Sequence, residues 1–548
     1  MKEGIRQSMA WLHTWSGLLV GWVLFMVFAA GTASYFRDEI TLWMKPELHA
    51  AARALPPQAV PLMQAVAVAH AVDTLQAKAP KSPRWFITMP TEREPALRAS
   101  YTAPKGERET GGKKGGGRRG FRSVMLDLAT GEELSAPRET RGGDFFYRLH
   151  FDLHYMPVLW ARWIVGACAM FMLVAILSGI VTHKRIFKDF FTFRPKKGQR
   201  SWLDFHNVSA VLALPYHLMI TYTGLLTLMF MYFPQGIQAA YHEDKPDTFF
   251  SELFGGPQAD AEAARIHAPL APLGPMVEQA SRAWNGAPAG RVTVNFPNDA
   301  NATVTITQQT GHGISSEVPS LTFDGVSGRL ASQPEAGKGA AAATRGVLYG
   351  LHIARFADPF VRWLFFICGL AGCLMVATGL LLWAVKERPK HLKAHAGKIG
   401  FSLRLVDGLN IGAVAGLPLA MAIFFWANRL IDTGIDGRPD AEIRWFFTAW
   451  GVAAAVALVK PGRPMWRIQL AIGGLAFALL PLLNGATGGA HLGTSIAHGL
   501  WPVDGFDIAT LLLGAFLLYS SHYLGKAKAP KAARAAPKSE TELAGSNA

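Results

Sequence analysis

The stretch Trp11–Phe36, WLHTWSGLLVGWVLFMVFAAGTASYF, decides the fold class because it contains no Asp, Glu, Lys or Arg. An α-helix rises about 1.5 Å per residue, so roughly 20 apolar residues cross the hydrocarbon core of a bilayer. The stretch has no small-residue cleavage site of the kind that ends a signal peptide. We therefore predict a helix that is retained in the membrane.

Seven further apolar runs follow along the 548-residue chain, which is 50% hydrophobic and only 17% charged. This composition is too apolar for an ordinary soluble protein. It predicts an α-helical membrane bundle of about eight transmembrane helices. The further runs are Trp163–Thr182, Val208–Phe233, Trp363–Val385, Gly408–Ile431, Ile443–Val459, Ile468–Leu483 and Phe506–Leu524.

Lysine and arginine concentrate in four segments that fall on one side of an eight-helix arrangement. Because positive residues stay on the cytoplasmic side, we expect both termini in the cytoplasm and two soluble modules in the periplasm, across a bacterial inner membrane. The net charge of +15 then reflects topology, and we expect no nucleic-acid partner. The basic segments are 184–200 with seven such residues, 386–404 with six, 460–467 with three, and the tail after Lys526.

The two soluble segments are predicted to be small α+β modules that repeat each other. The helical string MQAVAVAHAVDTL precedes the strand RWFITMP in the first module, and PMVEQASRAW precedes RVTVNFP in the second. Matching turns follow at Asp127–Gly131 and Asp324–Gly328. The predicted segments are helix 8–36, module 37–148, helix 149–183, helix 201–233, module 234–350, helix 351–386, a four-helix extension 405–525 and a disordered basic tail 526–548.

The flanking helices repeat as well, so that residues 1–200 and 201–398 are two copies of helix, module, helix. Histidines stand at matched places in both copies. The equal spacings are eighteen residues from His13 to Gly31 and from His206 to Gly224, and seven residues from His150 to Pro157 and from His352 to Pro359.

The strings SGIVTHKRIFKDFFTFRP, WLDFHNVSAVLALPYHLMITYTGL and GLHIARFADPFVRWLFFICGLAG resemble signature segments of the PepSY-associated transmembrane helix family, also called iron-regulated membrane proteins. The two modules resemble PepSY domains. The resemblance covers about residues 8–388 and leaves out the extension after residue 400. Some members are inner-membrane reductases of ferric siderophores that carry two b-type haems, which implies a redox role and two haem b groups here.

A haem in a helical bundle needs axial ligands from facing helices and small residues where the porphyrin lies. The preferred assignment places one haem toward the cytoplasm on His13 and His206. It places a second toward the periplasm on His150 and His352. The alternative for His13 and His206 is that they are hydrogen-bonded anchors near the cytoplasmic interface. For His150, His154 and His352 the alternative is a periplasmic metal or surface role, or plain hydrogen bonding.

Two further histidines, His154 and His217, are substitute ligands. His217 follows His206 by eleven residues. On one straight helix this spacing places both histidines on the same face, about 16 Å apart along the axis. The alternative for His217 is a hydrogen bond to Asn207, Thr221 or Thr223. His183 is a third cytoplasmic-side candidate, ranked lower because its repeat partner is Trp383.

His352 raises a geometric question because it precedes the apolar run at Trp363 by eleven residues. A straight helix would hold it above the bilayer, and we expect Pro359 and Pro157 to interrupt these helices and fold the segments back.

Four arginines near the periplasmic ends of the helices, Arg37, Arg162, Arg355 and Arg362, are candidates to meet haem propionates or an anionic ligand. The alternative is that each extends to the membrane interface.

No nicotinamide or flavin motif is present, so the chain is expected to conduct electrons from a quinol or a cytoplasmic reductase to a ferric siderophore or other iron chelate. Two alternatives stay open. One is a non-enzymatic module whose soluble domains bind a partner by strand addition. The other is an iron or siderophore permease, supported by polar residues of the extension: Asn410, Asn428, Arg429, Asn484, His491, His498 and His522.

Overall fold

The structure, a computed structural model, describes residues 2–54, 59–91, 93–103, 121–182, 194, 199–241, 262–309, 313–332 and 340–526. The candidate His183, the glycine-rich basic stretch 111–120 and nearly all of the basic tail lie outside the described residues.

Helices make up the membrane part of the chain, and two groups of strands interrupt them. The helices are α1 (Lys2–Ser34), α2 (Arg37–Trp43), α3 (His49–Ala54), α4 (Ala59–Lys78), α5 (Asp144–Asp152), α6 (Val158–Thr182), α7 (Gln199–Leu212), α8 (Leu214–Thr227), α9 (Met229–Tyr232), α10 (Pro234–Tyr241), α11 (Leu273–Ala283), α12 (Ala340–Ile353), α13 (Pro359–Ala394), α14 (Phe401–Val414), α15 (Gly416–Leu430), α16 (Arg438–Val459), α17 (Arg463–Ala478), α18 (Leu480–Ala486), α19 (Leu492–Ala497) and α20 (Trp501–Lys526). The strands are β1 (Arg84–Thr88), β2 (Leu97–Thr102), β3 (Phe121–Leu126), β4 (Ala289–Asn295), β5 (Thr303–Gln308), β6 (Ser320–Asp324) and β7 (Leu330–Ser332).

Within the described residues, seven helices are long and apolar enough to cross a membrane, and the bent pair α7 and α8 brings the number to eight. This confirms the predicted multi-pass helical bundle. Small residues let its helices approach closely, since a Cβ on Gly21 of α1 would lie 2.6 Å from Leu380 of α13. Helix α1 packs against both α6 and α13, and α7 packs against α13.

The third span is not one straight helix, which corrects the expected placement of His217. Helix α7 ends at Leu212 and α8 begins at Leu214, with a bend of 66° between them. Pro215 near the start of α8 has no N–H to donate, so the helical hydrogen bonds cannot run through this point. His206 and His217 therefore lie on two helices that point in different directions. The prediction that they lie on one face of a single helix, about 16 Å apart, was wrong.

The two modules share a single seven-stranded antiparallel sheet with the strand order β3-β2-β1-β4-β5-β6-β7. Strands β1 and β4 pair in register, with Phe86 opposite Thr293, so that the sheet continues from one module into the other. Helices α4 and α11 cover one face, and Gln64 of α4 exchanges two hydrogen bonds with the backbone of Ala289 in β4 (2.8 and 2.9 Å). The fold class is confirmed, and the modules are joined edge to edge.

The repeat extends to the turns that follow β3 and β6. Asp127 and Asp324 each accept hydrogen bonds at Oδ1 from the backbone two and three residues further along, at 2.7 to 3.2 Å. Gly131 and Gly328 close the turns with φ of 71° and 70°, a conformation that glycine adopts without steric cost.

The four-helix extension holds the start of the first module through buried polar contacts. Trp43 Nε1 donates to Asp507 Oδ1 (2.7 Å), and the Arg429 guanidinium lies 4.2 Å from the centre of the Trp43 ring. Thr140 Oγ1 donates to Glu442 Oε2 (2.6 Å). A change in the extension therefore acts on the segments that lead into and out of the first module.

The β1–β4 pairing predicts that cysteines at Phe86 and Thr293 form a disulfide when both are introduced. Residues directly opposite in an antiparallel pair have Cα atoms about 4.5–5.5 Å apart, inside the range of disulfides. Cross-linking is measured by mass spectrometry of peptides after oxidation. Phe86→Cys with Thr305→Cys is the control, because β5 lies about 10 Å from β1. Equal cross-linking of both pairs would contradict the register.

Candidate functional site

The first histidine pair joins the two repeats at the end of the bundle where α1 begins. The rings of His13 on α1 and His206 on α7 have centroids 6.3 Å apart. His13 Nδ1 donates to the Ala175 carbonyl of α6 (2.8 Å), and His206 Nδ1 donates to the Met375 carbonyl of α13 (2.9 Å). Each histidine is thus held by the last span of its own repeat.

The second pair lies at the opposite end of the same bundle, next to the sheet. His150 on α5 and His352 on α12 have ring centroids 6.1 Å apart. His150 Nδ1 donates to the Val27 carbonyl of α1 (2.8 Å). His352 Nδ1 lies 3.1 Å from the Thr223 hydroxyl, which accepts from it because that hydroxyl donates to the Met219 carbonyl.

Burial lowers the pKa of both imidazoles of the second pair, to about 3 for His352, where the neighbouring His150 adds to the effect. Both rings are therefore neutral at physiological pH. A neutral imidazole whose Nδ1 carries the proton has a lone pair on Nε2, which is the form that binds a metal.

Each of the four rings rests against a glycine. A Cβ on Gly179 or Gly379 would lie 3.2 or 3.3 Å from the ring of His13 or His206. The second pair is tighter, with 2.7 Å from Gly31 to His150 and 2.9 Å from Gly224 to His352. Any larger residue would displace the ring, so these glycines set where the imidazoles lie.

Short turns bring His150 and His352 back onto the bundle. Leu153, His154 and Tyr155 have φ of 53°, 52° and 47° between α5 and α6, and Ala354 has φ of 51° after α12. Asp358 then caps α13 by accepting from the Val361 N–H (2.8 Å). The expected interruptions before Pro157 and Pro359 are present as complete breaks, so His352 lies against α8 rather than above the bundle.

The donor set fits a porphyrin iron. Two imidazoles on one iron have ring centroids about 6 Å apart, given metal–nitrogen bonds near 2 Å. The porphyrin supplies the other four nitrogens, so a pair of histidines is sufficient. Among the described residues no three His, Cys, Asp or Glu side chains cluster as a metal site of the protein alone.

The two substitute ligands lie elsewhere. His154 stacks on Phe447 of α16, with centroids 5.4 Å apart and planes 13° apart. His217 is fully buried on α8, its ring centroid lies 6.1 Å from that of Phe28, and its Nε2 lies 3.4 Å from the Cys368 carbonyl. The structure does not bring either one opposite another histidine, so they do not fit the paired arrangement.

The candidate arginines mostly form ion pairs. Arg362 bonds Glu39 (2.8 Å), Arg162 bonds Asp152 (2.9 Å), and Arg37 lies 3.7 Å from Asp144. Arg355 is exposed and, among the described residues, has no carboxylate partner. Of these four candidate arginines, Arg355 is therefore the one that remains available to an incoming anion.

The buried polar residues that suggested a permease each have a local partner, although Asn410 Nδ2, Asn428 Oδ1 and two nitrogens of Arg429 are without a hydrogen bond among the described residues. Asn410 Oδ1 accepts from Trp22 Nε1 (2.8 Å), Asn428 bonds Glu442 (2.8 Å), and Arg429 bonds Asn484 (2.6 Å). His491, His498 and His522 are exposed. These contacts are those of helix packing.

Sequence reasoning missed the hydrogen-bond acceptors of the four histidines and one repeated tyrosine pair. Tyr147 precedes His150 by three residues, and Tyr349 precedes His352 by three. Their hydroxyl groups interact, and burial is the main reason that the pKa of Tyr147 rises to about 12. The matched spacing was the available signal.

The family described as PepSY-associated TM region matches residues 10–386, which is more than half of the chain. The chain belongs to the PepSY-associated TM family. A similar relative is the uncharacterized protein PA4219 of Pseudomonas aeruginosa, 27% identical over 387 residues that cover 68% of this chain and 92% of the relative. Both histidine pairs lie within the span of the PepSY-associated TM region.

Gly31→Ala is predicted to destabilise the protein by about 1–3 kcal/mol, because the new methyl group overlaps the His150 ring and breaks its bond to Val27. The measurement is the unfolding midpoint of the purified protein in detergent. Gly451→Ala on α16 is the control, since nothing lies within 4 Å of its Cβ position. Equal midpoints for both variants would show that His150 does not pack against Gly31 of α1.

Proposed function

We propose that this protein is a di-haem reductase of a bacterial inner membrane that passes single electrons to a ferric chelate, such as a ferric siderophore, on the periplasmic side. The observation that supports this most is the two repeat-related imidazole pairs, each with Nδ1 engaged and ring centroids 6.1 or 6.3 Å apart. The orientation rests on the basic segments, which leave the sheet in the periplasm.

The positions of the pairs suit transfer across a membrane. Helix α1 carries His13 near its beginning and the carbonyl of Val27, which holds His150, near its end. The fourteen residues between them correspond to roughly 21 Å along the helix axis. One haem near each surface allows electrons to cross in two steps.

Haem b supplies a reversible one-electron iron couple when it is bound between such imidazoles. The chain holds each imidazole neutral and fixes its rotation through the Nδ1 bond. The glycines leave room for the imidazole rings against the neighbouring helices, and the apolar helices keep water away. No residue of the protein gains or loses a bond.

The substrate is the iron of the chelate, which takes up one electron and passes from ferric to ferrous. Ferrous iron is held less firmly by hard oxygen ligands, so reduction releases it. The electron originates from a quinol or from a cytoplasmic reductase at the His13–His206 end. One electron leaves the donor for each iron reduced.

A second candidate is a non-enzymatic protein that binds a partner through the sheet. It is favoured by the edge strands β3 and β7, which end the seven-stranded sheet, because an edge strand can pair with a strand of a partner; the end of β3 at Leu126 is already bridged to Glu133. The colour of the purified protein distinguishes the two candidates, because only the reductase would bind haem. The permease hypothesis receives no support from the contacts of the extension.

Purified protein is predicted to show the Soret and α bands of b-type haem. His13→Ala and His206→Ala should each remove about one of two haem equivalents, and His150→Ala and His352→Ala should each remove the other. The measurement is a pyridine haemochrome assay with reduced-minus-oxidised spectra. His154→Ala is the control and should keep both. Colourless protein from cells with ample haem would refute the proposal.

Electron delivery is predicted to occur on the face that carries the sheet. Vesicles of both orientations are prepared with the haems reduced, and an impermeant ferric chelate is added. Reoxidation should follow only where the sheet faces the added chelate. Equal reoxidation in both orientations, or reoxidation from the other face alone, would show that the proposed side is wrong.

A further inference from the structure

Two arginines lie in one row across the centre of the sheet. Thr88 of β1 is opposite Arg98 of β2 on one side and Arg291 of β4 on the other. Residues directly opposite point to the same face, so the two arginines flank Thr88 with Cα atoms about 10 Å apart. The row crosses the junction between the two modules.

This face of the sheet is the one that α4 and α11 do not cover. The covered face consists of alternate residues such as Ile87 and Val292, which are fully buried. The residues on this other face are mainly polar, and of these Ser100 is buried. The row of this face next to that of the arginines contains Ser123, Ser100, Phe86, Thr293, Thr305, Thr322 and Ser332.

A third arginine, Arg355, is exposed in the turn between α12 and α13. Arg355 follows His352 by three residues, and its charge acts on both Arg291 and Tyr147. Burial, Arg98 and Arg355, in that order, lower the pKa of Arg291. Arg98, Arg291 and Arg355, here called the arginine cluster, therefore concentrate positive charge at one place.

Glu94 partly offsets the arginine cluster, because its charge raises the pKa of Arg291 against the effect of the other two arginines. Glu94 lies 3.2 Å from Arg98, and this pair is exposed, with a third of the Arg98 side chain and nearly half of Glu94 open to solvent. Exposed pairs of this kind contribute little. Among the described residues neither Arg291 nor Arg355 forms an ion pair with a carboxylate. Three like charges repel one another, and an anion bound between them relieves that repulsion.

The tyrosine pair connects the arginine cluster with the second histidine pair. Tyr147 and Tyr349 lie about one helical turn before His150 and His352, which is the side from which α5 and α12 enter from the modules. Tyr147 interacts with Tyr349 and is within reach of the charge of Arg355. Arg93, in the turn after β1, and Arg362, near the start of α13, both donate to Glu39 of α2, so this end of the sheet lies against the bundle. An acceptor at the arginine cluster therefore binds at the end of the sheet that meets the bundle.

We propose that the arginine cluster is the binding site of the electron acceptor, and that it selects ferric chelates with a net negative charge, whose outward oxygens are carboxylate or phenolate groups. This rests on the proposed function, since it names the substrate class of the same reductase. Guanidinium groups bind such oxygens through paired hydrogen bonds. A neutral trihydroxamate chelate lacks the charge that the cluster recognises.

The first experiment measures reoxidation of pre-reduced holoprotein by stopped flow, with ferric EDTA as the anionic probe and a neutral ferric trihydroxamate as its comparison. The variant R98Q/R291Q/R355Q should need about fivefold or more ferric EDTA for half-maximal rate, with the trihydroxamate unaffected. Salt at about 0.5 M should raise the ferric EDTA concentration that the wild type needs for half-maximal rate. The concentration that the variant needs should stay nearly unchanged. Arg84→Gln, at the far end of β1, is the matched control and should behave as wild type.

The second experiment measures binding of gallium(III) EDTA by equilibrium dialysis, because this anion has nearly the same shape as ferric EDTA and accepts no electron. The wild type should bind it, and the affinity of the triple variant should be lower by about fivefold or more. Haem content and the unfolding midpoint show that the variant is intact.

Binding that is equal in wild type and variant, or a variant that slows both chelates alike, would overturn the arginine cluster as the acceptor site. Those results leave the reductase proposal standing. Protein without haem that still binds gallium(III) EDTA through the arginine cluster would instead reject electron transfer and retain the anion site. The two failures are therefore distinguishable.

Discussion

The bundle is organised around the hydrogen bonds that fix its paired histidines. An imidazole buried among apolar helices has one N–H that needs an acceptor, and leaving it without one costs about 1–3 kcal/mol. Here the acceptors for His13, His206 and His150 are carbonyls near glycines on neighbouring helices, at 2.8 or 2.9 Å. Helix carbonyls are rigid, so each bond also fixes the rotation of the ring. The positions of α5, α7 and α1 follow from these contacts.

The sheet performs the same positioning for the parts outside the bundle. Because β1 and β4 pair directly, the two modules form one continuous sheet and cannot move independently. The chain continues from the first module into α5 and from the second into α12. His150 and His352 are carried by those two helices. A link between modules in the sheet is therefore also a link between the histidines of the second pair.

The extension solves a problem of buried charge. Arg438 and Glu442 are both fully buried and form an ion pair on one turn of α16, with Asn428 and Thr140 completing the hydrogen bonds of the carboxylate. These hydrogen bonds lower the cost of burying the two charges, although Arg438 Nε has no hydrogen-bond partner among the described residues. This contact joins α15 and α16 to the segment before α5, which explains why polar residues inside apolar spans need not mark a transport path.

Much of the architecture was determined by the sequence alone, since membrane spans and repeats depend on residues that are near one another along the chain. The apolar runs, the matched spacings of His13 and His206 and of His150 and His352, and the α+β character of the modules needed no tertiary information. The same local reasoning failed at His217, because a straight helix was assumed where Pro215 ends the hydrogen-bond ladder. The Nδ1 acceptors, the β1–β4 junction and the meeting of Arg98, Arg291 and Arg355 were decided only by the tertiary structure. They bring together residues more than two hundred positions apart, and no periodicity along the chain encodes which of two distant surfaces will pack together.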